Sequence, residues 1–217
     1  MQGTLEAVVT RLASNRSISV TGAGRTDSGV HAAGQVAHLD LEIDPDDLLY
    51  KCNRMLPADL VVREVRAVDC AFHARFSATS RTYRYTIATR RDPFSARFAF
   101  LPPYELDVEQ MRLAAAAFCR RCNYTTFSKN NPSTRNMVCD VRQCTIRDQE
   151  DGLLIEVEAD RFLYGMVRLI VGRLVAVGRG ASLPTSVESD LQLCDRSQAS
   201  PAVPARGLSL FKVGYDR

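Results

Sequence analysis

The residues whose types and spacing could do chemistry stand in "TGAGRTDSGVHAAGQVAHLDL", residues 21–41. Gly22, Gly24, Arg25, Asp27, Gly29 and His31 crowd together there, directly ahead of a run that alternates apolar and polar side chains. Such a turn can cradle a phosphate, present a catalytic group, or simply connect two elements. The two common phosphate loops fail on particular residues. A dinucleotide fingerprint, G-x-G-x-x-G, matches at Gly22 and Gly24. Its sixth position is Asp27, whose charge would face the pyrophosphate. A P-loop, G-x-x-x-x-G-K-[ST], matches at Gly24 and Gly29, but Val30 and His31 replace the lysine and the hydroxyl.

What remains is Arg25 and Asp27 on one turn, with glycines on both sides that let another molecule approach the backbone. A carboxylate beside a cation stays ionised and oriented, and can act as a nucleophile. The plain structural alternative is a capped turn, with Asp27 bonding its own loop amides and Arg25 facing solvent. Both readings fit the residues. His31 reads as a hydrogen-bonding turn residue, because no acid–base role is required of it.

These residues need elements to hold them. "QGTLEAVVTRLAS" places Leu5, Val8, Val9 and Leu12 on one helical face. "ISVTG" reads as a short strand entering the glycine turn, and "GQVAHLDLEI" as a strand with one buried face. "DPDDLLYKCNRML" has a capping Asp44, Pro45 at the first helical position and acids in the first turn. "DLVVREVRAV" and "RTYRYTIAT" have the β-branched and aromatic content of strands. "RRDPFSARFAFLPP" is a loop, and "DVEQMRLAAAAFCRR" a helix of strong helix formers. "MVCDVRQCTIRDQEDGLLIEVEA" forms a hairpin turning at "DQEDG". "DRFLYGMVRLIVGRLVAVGRG" is apolar nearly all round, so it belongs buried against a sheet, and Gly178 and Gly180 fit its stop. "GLSLFKVGY" is a closing strand. The hairpins exclude a doubly wound parallel sheet and point to α+β, mostly antiparallel, with helices packed on the sheet.

The 217 residues, 46% of them hydrophobic, suffice for one large or two small cores. No uncharged apolar run of about 18 residues is present, so no membrane span is expected. A basic region followed by an apolar signal core is also lacking, which makes the cytoplasm the default compartment. Seven cysteines in such a chain read as free thiols. Cys119 and Cys122 form a C-x-x-C, but Cys139 and Cys144 are spaced too widely for a zinc site's second pair, so no metal is expected. The net charge is only +3, yet 25 of the 28 basic residues are arginine. Residues 1–50 carry three arginines against seven acids, and residues 51–100 ten bases against four acids. An arginine-rich face of this kind suits phosphate contacts.

At this point the sequence resembles a known family. "GAGRTDSGVHAAGQVAHLDL" is similar to the R-T-D-x-G-V-H-A signature of the tRNA pseudouridine synthase A (TruA) family. "MQGTLEAVV" looks like that family's Q-G-x-L-E helix, and "FHARFSATSRTYRYTI" like its H-A-R-F-x-A…R-x-Y-R-Y-x-I segment. "FLYGMVRLIVGRLVAVGRG" and "PAVPARGLSLFKVGY" look like its F-L-x-x-M-V-R-x-I-V-G helix and its closing A-P-A-x-G-L-x-L strand. The resemblance implies the pseudouridine synthase fold in two similar α+β halves. The first, 1–100, would carry the catalytic aspartate loop, and the second, 101–217, would complete the active-site cleft. It also implies a cytoplasmic homodimeric isomerase that needs no cofactor. The reaction implied is uridine to pseudouridine at positions 38–40 of the tRNA anticodon stem-loop. By matching position, Asp27 is the nucleophile and Tyr83 lies against the flipped base. Arg168 pairs with the aspartate, Arg25 helps position the RNA or the loop, and Leu208 lines the pocket. Family members open with a strand and loop, Y-D-G-x-x-Y-x-G-W-Q, ahead of Q-G-x-L-E. This chain begins at Met1-Gln2-Gly3 and has no tryptophan. The first N-terminal strand is therefore expected to be missing, and the alternative function is a truncated, non-catalytic RNA-binding relative.

The chemistry asked of these residue types is consistent. A stacked uridine must be turned out into a pocket before its base can be reached. An aromatic platform such as Tyr83 stabilises the extruded base by about 1–3 kcal/mol. An arginine inside an apolar helix requires a partner, which makes a carboxylate beside Arg168 an expectation of physics as well as of resemblance.

Overall fold

A computed structural model describes residues 1–216, which form two compact units with separate cores. The first unit comprises residues 1–25 and 35–78, the second residues 26–34 and, among the described residues, 79–216. The short stretch 26–34, which contains Asp27, is thus built into the second unit.

The first unit is organised by two helices. Helix α1 (Gln2–Leu12) buries Val8 and Val9, and α2 (Pro45–Met55) buries Leu48 and Cys52, around a core that includes Ile18 and Val20. The Asp44 side chain accepts from the amides of Asp46 and Asp47, with Pro45 at the first helical position, as the sequence indicates. The strands expected here are much shorter. Only β1 (Thr21–Gly22) and β3 (Ala37–His38) pair, antiparallel, with Thr21 opposite His38. Residues 18–20 satisfy their backbone on α1 instead. Ile18 N donates to Thr10 Oγ1 at 3.2 Å and Val20 N to Glu6 Oε1 at 3.1 Å, while Gln2 Nε2 donates to Val20 O at 2.8 Å. Nor does "DLVVREVRAV" form a strand. It has no regular secondary structure, and the Asn53 side chain brackets Val62 at both its N–H and its carbonyl. Side-chain amides and carboxylates have here replaced a ladder that propensity alone favours.

The second unit holds a six-stranded sheet in the order β2-β8-β4-β7-β6-β5. Its strands are β2 (His31–Ala32), β4 (Ala78–Ala88), β5 (Arg121–Asn123), β6 (Val138–Gln149), β7 (Gly152–Ala159) and β8 (Leu208–Tyr215). The expected hairpin is β6–β7, antiparallel, turning at Glu150 and Asp151, with a bulge between Val141 and Gln143. Strand β4 pairs antiparallel along β7, from Arg81 opposite Ala159 to Ala88 opposite Gly152. One pairing departs from the antiparallel rule: β2 runs parallel to β8, His31 beside Ser209 and Ala32 beside Leu210. Strand β4 lies before residue 100 in sequence but pairs within this sheet.

Helices α3 (Val108–Ala117), α4 (Met166–Gly178) and α5 (Ser186–Leu193) complete this unit. Apart from Arg168, every residue of α4 is buried, in accord with its apolar sequence. Helix α3 stops at Ala117, so Cys122 falls on β5, opposite Cys139 on β6. All seven cysteines are free thiols. No cluster of three or more His, Cys, Asp or Glu side chains that could hold a metal occurs among the described residues. No helix among them is long and apolar enough to cross a membrane.

Candidate active site

Asp27 begins a tight turn whose geometry its sequence dictates. Val30 N donates to Asp27 O at 3.1 Å, and Gly29 at the third position has φ +80°. A type II turn requires positive φ there, which glycine takes without steric cost. The chain then joins the sheet: β2 pairs with β8, and the amides of Ala33 and Gly34 both donate to Leu210 O. His31 Nε2 bonds to Arg97 O at 2.9 Å, and its ring lies 4.7 Å from that of Phe98. His31 is therefore a structural clasp of this loop, the role expected of it.

The Asp27 carboxylate meets a cation from the buried helix. Arg168 Nη1 donates to Asp27 Oδ2 at 3.2 Å, and Arg168 Nε donates to Val203 O at 2.8 Å. The two side chains are only 17% and 26% exposed. Arg168 is the single non-buried position of α4, and it reaches past Val203 to the aspartate. The apolar helix fixes the guanidinium's base, the Val203 carbonyl fixes its fork, and the fork fixes the carboxylate. A charge-assisted bond of this kind holds a carboxylate in one direction.

Tyr83 stands on β4 opposite Val157, with Phe162 packed edge-on against its ring at 5.1 Å. Burial raises its phenol above the ordinary value, Arg81 opposes the rise, and the negative charge of Asp27 adds to it. Strand β4, which carries Tyr83, neighbours β8, and β8 in turn pairs with β2, which follows the Asp27 turn. Two residues on, Tyr85 is fully buried and donates to Pro204 O at 2.9 Å. Burial pushes its phenol far up, against the charges of Arg168 and Arg206. Gly207 permits this packing, since a Cβ there would lie 2.7 Å from the Tyr85 ring. Leu208 follows as the first residue of β8, 6% exposed and part of the apolar core.

The structure thus pairs Asp27 with Arg168, and it sets Tyr83 on β4 and Leu208 on β8, neighbouring strands of the sheet that β2 joins after the Asp27 turn. Arg25 belongs to the other compact unit, where its side chain is exposed. Three supporting groups were not legible in the sequence: Phe162 behind Tyr83, the Val203 carbonyl behind Arg168, and Pro204 behind Tyr85. Val203 and Pro204 lie in the proline-punctuated "PAVPARG" that leads into β8.

Residues 111–216 match the sequence model of the family described as tRNA pseudouridine synthase. The tRNA pseudouridine synthase A of Geobacillus sp. (strain WCH70) is 38% identical over 220 residues, spanning 100% of this chain and 89% of the relative. Those of Bacillus subtilis (strain 168) and Parabacteroides distasonis are each 38% identical, covering 92% and 91% of this chain and 82% and 80% of theirs. The chain belongs to the tRNA pseudouridine synthase A family.

Proposed function

We propose that this protein isomerises uridine to pseudouridine in the anticodon stem-loop of tRNA, at positions 38–40, with Asp27 as nucleophile. The observation that carries this reading is the Asp27–Arg168 pair, held at a tight turn in the same compact unit as Tyr83. In the reaction the N1–C1′ bond breaks and the uracil rotates within the pocket. A C5–C1′ bond then forms, and a proton passes from C5 to N1. Asp27 serves either as the group that attacks C1′ or as the one that adds at C6, and it departs in the final step. Electrons and atoms balance within substrate and aspartate, so the chemistry calls for no cofactor. Tyr83 offers the flipped base a rigid face. Leu208 closes the apolar wall, and Arg25 contacts the RNA or steadies the loop. The family likeness also supports a homodimer acting in the cytoplasm.

The test is incubation with an unmodified tRNA transcript, followed by mapping of pseudouridine. Product at positions 38–40 is expected. Salt-sensitive tRNA binding without product would leave the reading of a non-catalytic RNA-binding relative, and product confined to another arm would overturn the assignment of substrate site.

A further inference from the structure

Beyond the uridine site, the second unit has a basic feature that the reaction does not use. At the end of β4 a hollow of about 320 Å³ is lined by Arg90, Arg91 and Arg206, with Ala88, Ala99 and Leu101 among its apolar walls. The acid on its rim, Asp92, is occupied. Its carboxylate accepts from the amides of Phe94 at 3.0 Å and Ser95 at 2.9 Å, folding residues 92–95 into a fixed turn. Arg90 pairs with Asp151. Arg91 is exposed and makes no hydrogen bond or ion pair with any described residue. Arg206 donates through Nε to Ala99 O at 3.1 Å, which leaves the end of its fork for another acceptor. Two guanidiniums with spare donors therefore face one hollow, an arrangement suited to phosphate oxygens.

The surroundings favour a nucleic-acid phosphate over a small free anion. Phe94, 89% exposed, stands on the turn that Asp92 pins, and Phe98 is 57% exposed. Arginines interleaved with exposed aromatic rings are the composition of a surface that tracks a strand by backbone charge and base stacking. This loop is also clasped to the catalytic one, because His31 bonds Arg97 O and packs on Phe98. Arg206 itself directly precedes Gly207 and Leu208.

We infer that the hollow lined by Arg91 and Arg206 is a seat for a backbone phosphodiester of the bound tRNA, outside the uridine pocket, with Phe94 as an adjoining stacking face. This rests on tRNA being the substrate. The experiment measures Kd for an unmodified tRNA transcript as a function of potassium chloride, using the full chain, Arg91→Gln, Arg91→Lys and Arg121→Gln. Arg121 lies on β5, the edge strand opposite β2, while Arg206 leads into β8, next to β2. Loss of one phosphate contact should flatten the log–log salt slope by about 0.9 and weaken binding about eightfold near 0.1 M salt. Arg91→Gln should show both changes, Arg91→Lys should recover most of the affinity, and Arg121→Gln should behave as wild type. A wild-type Kd and slope in Arg91→Gln overturns the inference. So does inorganic phosphate raising the melting temperature of the wild type and not of Arg91→Gln while tRNA affinity is equal, since the hollow would then serve a free anion. Pseudouridine is scored in parallel. A wild type that binds tRNA but yields no product counts against the proposed function, and the Kd comparison still decides the phosphate seat.

Discussion

Replacing Arg168 with alanine removes two bonds with separable consequences. The first is the charged hydrogen bond to Asp27, formed between side chains that are only 17% and 26% exposed. A bond to a charged group contributes about 1.5–3 kcal/mol. If that energy is what holds the carboxylate in its reactive direction, its loss appears in the barrier, at 1.36 kcal/mol for each tenfold. The rate of pseudouridine formation should then fall roughly 10- to 150-fold. The second bond is from Nε to Val203 O, and its loss leaves a part-buried carbonyl unpaired at a cost of about 1–3 kcal/mol. For a chain of this size each kcal/mol moves the melting temperature by about 2–4 °C, so a fall of several degrees should accompany the slower reaction. Arg168→Lys separates the two. An ammonium can still reach Asp27 as a point charge, but it lacks the planar fork that also bonds Val203. It should recover more of the rate than of the stability. The assay is single-turnover pseudouridine formation at saturating enzyme, alongside a thermal melt. A wild-type single-turnover rate in Arg168→Ala would refute the reasoning, whatever the melt shows.

Three further outcomes follow from the same geometry. Gly29→Ala forces an L side chain to φ +80°, a conformation that costs about 1–2 kcal/mol, and should lower both the melting temperature and the rate. Unchanged values would mean the turn relaxes freely. Tyr83→Phe keeps the stacking face and should retain most activity, whereas Tyr83→Ala should lose about 1–3 kcal/mol of substrate interaction, read as a raised KM or a slower single turnover. Equal activity in the two would remove Tyr83 from the base pocket. Burial pushes the Cys139 thiol up to about 12 and raises that of Cys144 further, while Cys70, Cys119 and Cys194 are exposed. Alkylation of the native protein near pH 8 should therefore mark Cys70, Cys119 and Cys194 first, because the thiolate is the reactive form. Early labelling of Cys139 by peptide mapping would contradict the core packing.

What the sequence made legible is what local rules govern. The Asp44–Pro45 start of α2, the β6–β7 hairpin and the buried α4 each depend on neighbours a few residues apart. The misread segments depended on long-range partners. Ile18 to Val20 and "DLVVREVRAV" have strand composition, yet their amides and carbonyls find side chains of Glu6, Thr10 and Asn53. Periodicity carries no information about such partners. The parallel pairing of β2 with β8 was hidden for the same reason, since two residues at His31 and Ala32 are too few to show a pattern. At the site, the residue types argued for a held carboxylate at Asp27 and a partner for Arg168. The resemblance implied that each is the other's partner; the fold shows the pair and adds the Val203 carbonyl behind Arg168 and Phe162 behind Tyr83.

The central claim is that Asp27 performs the covalent step while Arg168 aims it. Asp27→Asn keeps the size of the side chain and an acceptor for Arg168, and removes the nucleophilic charge. The measurement is pseudouridine at positions 38–40 after a long single-turnover incubation, with tRNA binding recorded on the same sample. The account predicts tRNA bound by Asp27→Asn with an affinity close to wild type, and no product. Product accumulating in Asp27→Asn at a rate comparable to wild type would contradict it.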